Sequence, residues 1–253
     1  MKIGIHNIRG GRWKIFREAI PGNTYVIGAD AAKGVEGGNS SALTILCVND
    51  GRQEAVCAGI IDPTDFAIEC EKGGYLYNEA ELGIEFEKHG ATIINYLKEK
   101  QYPKIFFHTQ KLVSMNDQNP SEWGWNPTYY RQTAIDWLVQ DMAWTITKKP
   151  EENKKALWVY DPDTVLQCSY FGRNKKTGKF GAVKGKLDDK VTALYVSNFI
   201  RRLRLATVHA PPPAPPKELT FLEKLAMNRE KRDFHKVDTI LKEVLDRIDK
   251  LYE

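Results

Sequence analysis

Asn49-Asp50-Gly51 separates two apolar runs, residues 42–48 and 54–61, and that short polar break dictates how the surrounding chain folds. Asn, Asp and Gly tolerate the positive φ that a tight turn demands, so the two runs are expected to fold back on each other as antiparallel strands. A third extended run, 24–29, precedes them and makes the start of the domain a three-stranded antiparallel sheet. Downstream the pattern alternates. Helical spacing over 65–78 is interrupted by Gly73-Gly74, a strand is expected over 80–86, a helix over 92–100 with Ile93, Ile94 and Leu97 inward, and a short buried strand over 104–108. Residues 109–127 show no periodicity and read as a long surface loop. An amphipathic helix over 128–147, a basic hairpin of 168–173 with 179–183, and a helix over 188–203 complete the pattern. Antiparallel strands followed by alternating helices and strands give an α/β domain with a mixed sheet flanked by helices.

The domain is bracketed by segments of different character. Residues 1–23 are basic and Gly-interrupted and read as a leader or linker, and 24–210 as the domain itself. The Pro-rich stretch 211–216 cannot continue a helix or a central strand and is expected to be a stiff polyproline II spacer. Beyond it, 217–253 carries Val237, Ile240, Leu241, Val244, Leu245, Ile248 and Leu251 as a near-heptad stripe on a charged helix. That tail suits docking back on its own domain or binding a partner.

Composition narrows the classes of function. A net charge of +4 is compatible with a polyanionic partner without requiring one. Cys47, Cys57, Cys70 and Cys168 have no C-x-x-C spacing and the His residues no H-x-x-x-H, which argues against structural zinc and for reduced, buried thiols in a cytosolic setting. No apolar run approaches the roughly 20 residues of a membrane span, and no signal peptide is visible, so a soluble intracellular protein is expected.

Four carboxylates stand where the pattern changes. Asp30 ends the run Tyr25-Val26-Ile27-Gly28-Ala29, Glu85 ends Ala80-Glu81-Leu82-Gly83-Ile84, and Asp188-Asp189 follows Gly185-Lys186-Leu187 and opens an apolar helix. Carboxylates at the ends of apolar runs need a partner, and a divalent cation is an economical one. Each also has an ordinary reading: Asp188 as a helix N-terminal residue favoured by the dipole, Asp30 as a turn residue, Glu85 as a surface partner of Lys88. Their joint occurrence favours a metal site. Hard oxygen ligands suit Mg²⁺ or Mn²⁺, and two such ions roughly 4 Å apart activate a water and stabilise the leaving oxygen of a phosphodiester.

In this order the motifs resemble those of a known family, the nuclease domain of the large terminase subunit of tailed bacteriophages, which has an RNase H-like (retroviral-integrase-type) fold. Tyr25-Val26-Ile27-Gly28-Ala29-Asp30-Ala31-Ala32-Lys33-Gly34 is similar to its Y-x-x-G-x-D-x-A-x-G opening, and Glu85-Phe86-Glu87-Lys88-His89-Gly90 to its E-x-N-x-x-G. Gly124-Trp125 ahead of Arg131 resembles a G-W…R segment, and the stretch from Gly185 to Leu194 resembles G-x-H-D-D-x-x-x-A-x. Glu87 stands in place of the usual Asn and Leu187 in place of the usual His. The resemblance implies a metal-dependent endonuclease that cleaves double-stranded concatemeric DNA during genome packaging in the host cytoplasm. It also implies two Mg²⁺ or Mn²⁺ ions held by Asp30, Glu85 and Asp189 with Asp188 auxiliary. Glu36 falls where some relatives carry a further acid, though a solvated loop residue is the reading preferred here.

The family's partners are an ATPase domain, a small terminase subunit and a portal. No G-x-x-x-x-G-K-[ST] is found in the sequence: in the stretch from Gly172 to Lys179 five residues separate the glycines where the motif has four, and Phe180 stands where Ser or Thr is required. The chain therefore reads as a nuclease half without its motor. Arg173, Lys175, Lys176, Lys179, Lys184 and Lys186 cluster beside the Asp pair and suit sequence-independent contact with DNA phosphates, the alternative being a solvated hairpin. Two other functions fit the same pattern: a resolvase or transposase-like nuclease of the same fold, and a catalytically silent module that docks DNA or a portal.

Overall fold

The computed structural model describes residues 12–86, 89–108, 122–147, 156–174 and 177–205. The Pro-rich spacer, the tail over 217–253, Lys175 and Lys176 lie outside the described residues. Strands β1 (Trp13–Ile15), β2 (Tyr25–Asp30), β3 (Ser41–Cys47) and β4 (Gln53–Gly59) come first, followed by helix α1 (Pro63–Leu76), β5 (Glu81–Ile84) and α2 (Gly90–Glu99). Then follow β6 (Phe107–His108), β7 (Glu122–Trp123), α3 (Pro127–Thr147), α4 (Pro162–Tyr170), the hairpin β8 (Phe171–Arg173) and β9 (Phe180–Ala182), and α5 (Asp189–Arg204).

The main sheet has the order β1-β4-β3-β2-β5. Neighbours are antiparallel except β2 and β5, which run parallel with Ala29 opposite Ile84. The expected hairpin is present: Gly51 takes φ +74°, and its amide returns to the Cys47 carbonyl at 3.0 Å. Both faces of the sheet are covered, which is why β2 and β3 read as near-continuous apolar runs. On one face Ile27, Ala29, Leu43 and Ile45 pack with residues of α1 and α2. On the other, Val26 and Leu46 pack with Val191, Leu194, Tyr195 and Phe199 of α5 and with residues of α3 and α4.

Several elements differ from the sequence reading. Within the segment read as a leader, Trp13–Ile15 is an edge strand of the sheet, with Trp13 facing Cys57 and its indole N–H donating to Glu69 at 2.6 Å. Three residues are too few to show alternation. Gly73-Gly74 does not interrupt α1; the glycines admit the Trp13 and Tyr102 rings, since a Cβ would stand 2.9 Å from Trp13 and 2.1 Å from the Tyr102 hydroxyl oxygen. Residues 162–170 are helical, so Cys168 lies in α4 and not in a strand. Asp161 caps that helix by accepting from the Thr164 amide at 3.1 Å, with Pro162 in its first turn. The end of the expected long loop, Glu122–Trp123, is a strand paired with β6. Among the described residues, no helix is long and apolar enough to cross a membrane.

Candidate metal centre

Asp30 and Glu85 are set side by side by sheet register. β2 and β5 are parallel neighbours, and the Glu85 amide donates to the Ala29 carbonyl at 3.1 Å, so both carboxylates leave the sheet at its C-terminal edge. Side chains alternate across a strand, which places Gly28 on the face of Asp30 and Gly83 on that of Glu85. Both glycines lie beneath α5. A Cβ on Gly28 would stand 2.1 Å from the Ala193 carbonyl oxygen, and one on Gly83 would stand 2.1 Å from Ile200 Cδ1. Asp189 is one helical turn before Ala193. The helix that rests on Gly28 therefore carries Asp189 to the same edge as Asp30 and Glu85.

The motif glycine after Glu85 has a comparable role. A Cβ on Gly90 would lie 1.8 Å from the Glu85 carbonyl oxygen, so only Gly lets α2 begin against the end of β5. On the far side, the Trp125 amide donates to Ile84 at 2.7 Å and the Phe86 amide to Trp125 at 2.9 Å, clasping Glu85 between them.

The charges feel one another. Burial, then Glu85, Asp189 and Asp188, push the half-buried Asp30 carboxyl well above the usual range, while Arg131 pulls it down. Asp189 is 4% exposed. Burial and the Asp188 charge bring it up to about 6, against the Ser40 amide that donates to its Oδ2 at 3.2 Å. Asp188 is the N-cap residue of α5, yet its side chain caps nothing; its Oδ2 accepts from the Ala182 amide of β9 at 3.0 Å. Burial and Glu85 likewise raise the Tyr195 phenol. Carboxylate oxygens whose charges act against the ionised form of Asp30 form an environment that a hard divalent cation relieves, so the residues fit Mg²⁺ or Mn²⁺.

The structure thus sets Glu85, Asp188 and Asp189 close enough for their charges to act on Asp30. Glu36 is exposed in the loop after β2. Of the basic residues, Arg173, Lys179, Lys184 and Lys186 are exposed on or just after the hairpin, with the Lys186 ammonium 4.7 Å from the Tyr170 ring centroid. The sequence reading placed Arg131 in a motif but not in the site; its Nε is buried without a hydrogen-bond partner among the described residues. Its signal was the spacing that puts it in α3 just past Trp125.

A second acidic cluster, Cys47, Asp50 and Glu54, lies at the opposite end of the sheet, where Cys47 faces Tyr25, the first residue of β2. Arg17 already occupies it, with Nε 2.8 Å from Glu54 and Nη2 2.9 Å from Asp50. Arg52, 3.6 Å from Asp50, supplies a second positive charge against the cluster's two carboxylates.

A mixed sheet begun by antiparallel strands, closed by a parallel one and covered by helices, with acids at the strand ends, is an RNase H-like fold. No family model matches the sequence, and no curated protein matches it. Solved structures do. The large terminase nuclease from thermophilic phage G20c with bound magnesium aligns at TM-score 0.52 and 16% identity, over 76% of this chain and 89% of that one. The same nuclease with bound cobalt aligns at 0.52 and 15% over the same shares, and with bound zinc at 0.50 and 15% over 75% and 88%. The chain has the fold of a terminase nuclease domain.

Proposed function

We propose that the protein is a metal-dependent endonuclease that cleaves double-stranded, concatemeric phage DNA during genome packaging. The observation that carries this reading is the convergence of Asp30, Glu85 and Asp189 from two parallel strands and a helix, with the Asp30 and Asp189 carboxyls both raised above their ordinary range. The fold shared with terminase nucleases supports it, as do the magnesium, cobalt and zinc bound by one of them.

Asp30, Glu85 and Asp189 would hold the ions, two in number and most suitably Mg²⁺ or Mn²⁺, with Asp188 auxiliary. When bound, they supply an activated water and charge stabilisation for an in-line phosphodiester displacement. The protein's own groups do the rest. Ser40 orients Asp189, and Ala182 turns Asp188 toward the hairpin. Arg131 offers a guanidinium beside Asp30 that suits a phosphate oxygen. Arg173, Lys179, Lys184 and Lys186, with Lys175 and Lys176 between Arg173 and Lys179 in the sequence, contact backbone phosphates on the approach, giving sequence-independent and salt-sensitive binding. An ATPase domain, a small terminase subunit and a portal are the partners that this reading implies, in the host cytoplasm.

Incubation with supercoiled plasmid and Mn²⁺ or Mg²⁺ tests it. Nicking and linearisation that EDTA and Asp30→Asn each abolish are expected. Metal-independent cutting, full activity in the variant, or intact plasmid at every metal concentration would refute the proposal.

A further inference from the structure

Lys190, the residue after Asp189, is 9% exposed, and its ammonium lies 2.8 Å from Asp161 and 3.0 Å from Asp163. Lys14 on β1 reaches the same two carboxylates, at 2.8 Å and 2.6 Å. Asp161 is fully buried and also accepts from the Thr164 hydroxyl at 2.8 Å, while its own amide donates to Gln53 Oε1 on β4 at 2.8 Å. The Lys190 amide donates to Gln167 Oε1 on α4 at 2.9 Å. Two ammoniums and two carboxylates therefore form one lattice that ties β1, β4 and α4 to the first turn of α5.

We propose that Lys14 is a positioning residue for the acidic centre: by sharing Asp161 and Asp163 with Lys190, it fixes the first turn of α5 and with it the Asp189 carboxylate. The proposal rests on the metal-centre reading above. Without Lys14, two carboxylates, one of them fully buried, share a single ammonium. A buried charge deprived of its partner is costly, so Lys190 shifts toward Asp161 or water enters, and either change moves the backbone that carries Asp189. The displacement stops within a turn, because the helix is seated on Gly28 at Ala193 and Ser197. A ligand set so displaced keeps its chemistry and loses its preorganisation.

The test compares Mn²⁺ affinity by calorimetry, amide hydrogen exchange, and plasmid cleavage in wild type, Lys14→Met, Lys14→Arg and Asp163→Asn. Groups that orient metal ligands change affinity by roughly 10- to 100-fold when removed. Lys14→Met is expected to weaken Mn²⁺ binding about tenfold and to speed exchange in the first turn of α5 but not in α2. Its cleavage rate should recover at saturating Mn²⁺, and Lys14→Arg should restore affinity. Folded Lys14→Met with wild-type Mn²⁺ affinity overturns the proposal. If Lys14→Met does not fold, Asp163→Asn decides, since that carboxylate is 58% exposed and its loss is mild; unchanged affinity there overturns the proposal as well. Wild-type protein that binds no Mn²⁺ overturns the metal centre and this proposal together, whereas binding unaffected by any of the variants overturns this one alone.

Discussion

Gly28 and Ala193 meet backbone to backbone: a Cβ on Gly28 would stand 2.1 Å from the Ala193 carbonyl oxygen and 2.3 Å from the Ser197 amide. That contact sets how far Asp189 lies from Asp30, because each is one short step along its element from the point of touch. Gly28→Ala must force α5 off β2. Overpacking of this kind costs about 1–3 kcal/mol, occasionally more, and here it also separates the carboxylates. A melting temperature lowered by several degrees, with Mn²⁺ binding weakened in protein that remains folded, is the expected result.

Asp30→Asn should abolish cleavage and yet stabilise the metal-free protein. The folded state raises the Asp30 pKa, so this group favours folding in its protonated form, and that contribution is lost as pH rises through the folded value. Asn imitates the neutral form at every pH. In EDTA at pH 8 the variant is expected to melt a few degrees above wild type, since about 1 kcal/mol corresponds to roughly 2–4 °C in a chain of this size. Added Mn²⁺ should then stabilise wild type and not the variant. A variant that melts lower in EDTA would contradict the account.

Acid stability follows from the lattice on α4. Hydrogen bonds from Lys14 and Lys190 hold Asp163 down to about 2, and the same two ammoniums hold Asp161 below its ordinary range despite its burial. For a depressed carboxylate the contribution is present above the ordinary value of 3.8 and lost as pH falls through the folded one. Because Asp163 is largely exposed, solvent screening leaves its share on the order of 1 kcal/mol. Asp163→Asn should therefore be less stable than wild type by about that amount at neutral pH. The two stability curves should converge near pH 2, as read by urea denaturation across the range.

Exposed cations on the hairpin separate binding from chemistry. Replacing Lys179, Lys184 and Lys186 together by Gln should weaken DNA binding and flatten its salt dependence by up to about 0.9 per lost phosphate contact. Mn²⁺ affinity should be unchanged. A salt slope equal to that of wild type would show that the hairpin is only a solvated face.

Much of this architecture was legible because it is written in local signals. The Asn49-Asp50-Gly51 turn, the apolar runs of β2 to β4 and the spacing in α5 each specify their own element. The placement of the candidate acids was legible through order: Asp30 ends β2, Glu85 follows β5, and Asp189 begins α5. What escaped was set by distant packing. β1 is three residues long and exists because Trp13 finds a place beside Gly73. The α4 helix was masked by the β-prone Cys168-Ser169-Tyr170-Phe171, although Asp161-Pro162 announced a cap. Arg131 and the Lys14–Asp161–Lys190 lattice join residues far apart in sequence, and no periodicity connects them.

Asp30, Glu85 and Asp189 are proposed to hold divalent ions jointly. Crystals soaked in Mn²⁺ and measured at its absorption edge test that directly. Anomalous density among these three carboxylates, lost in Asp30→Asn, is the expected result. An empty centre at saturating Mn²⁺, or density at Cys47, Asp50 and Glu54 instead, would contradict it.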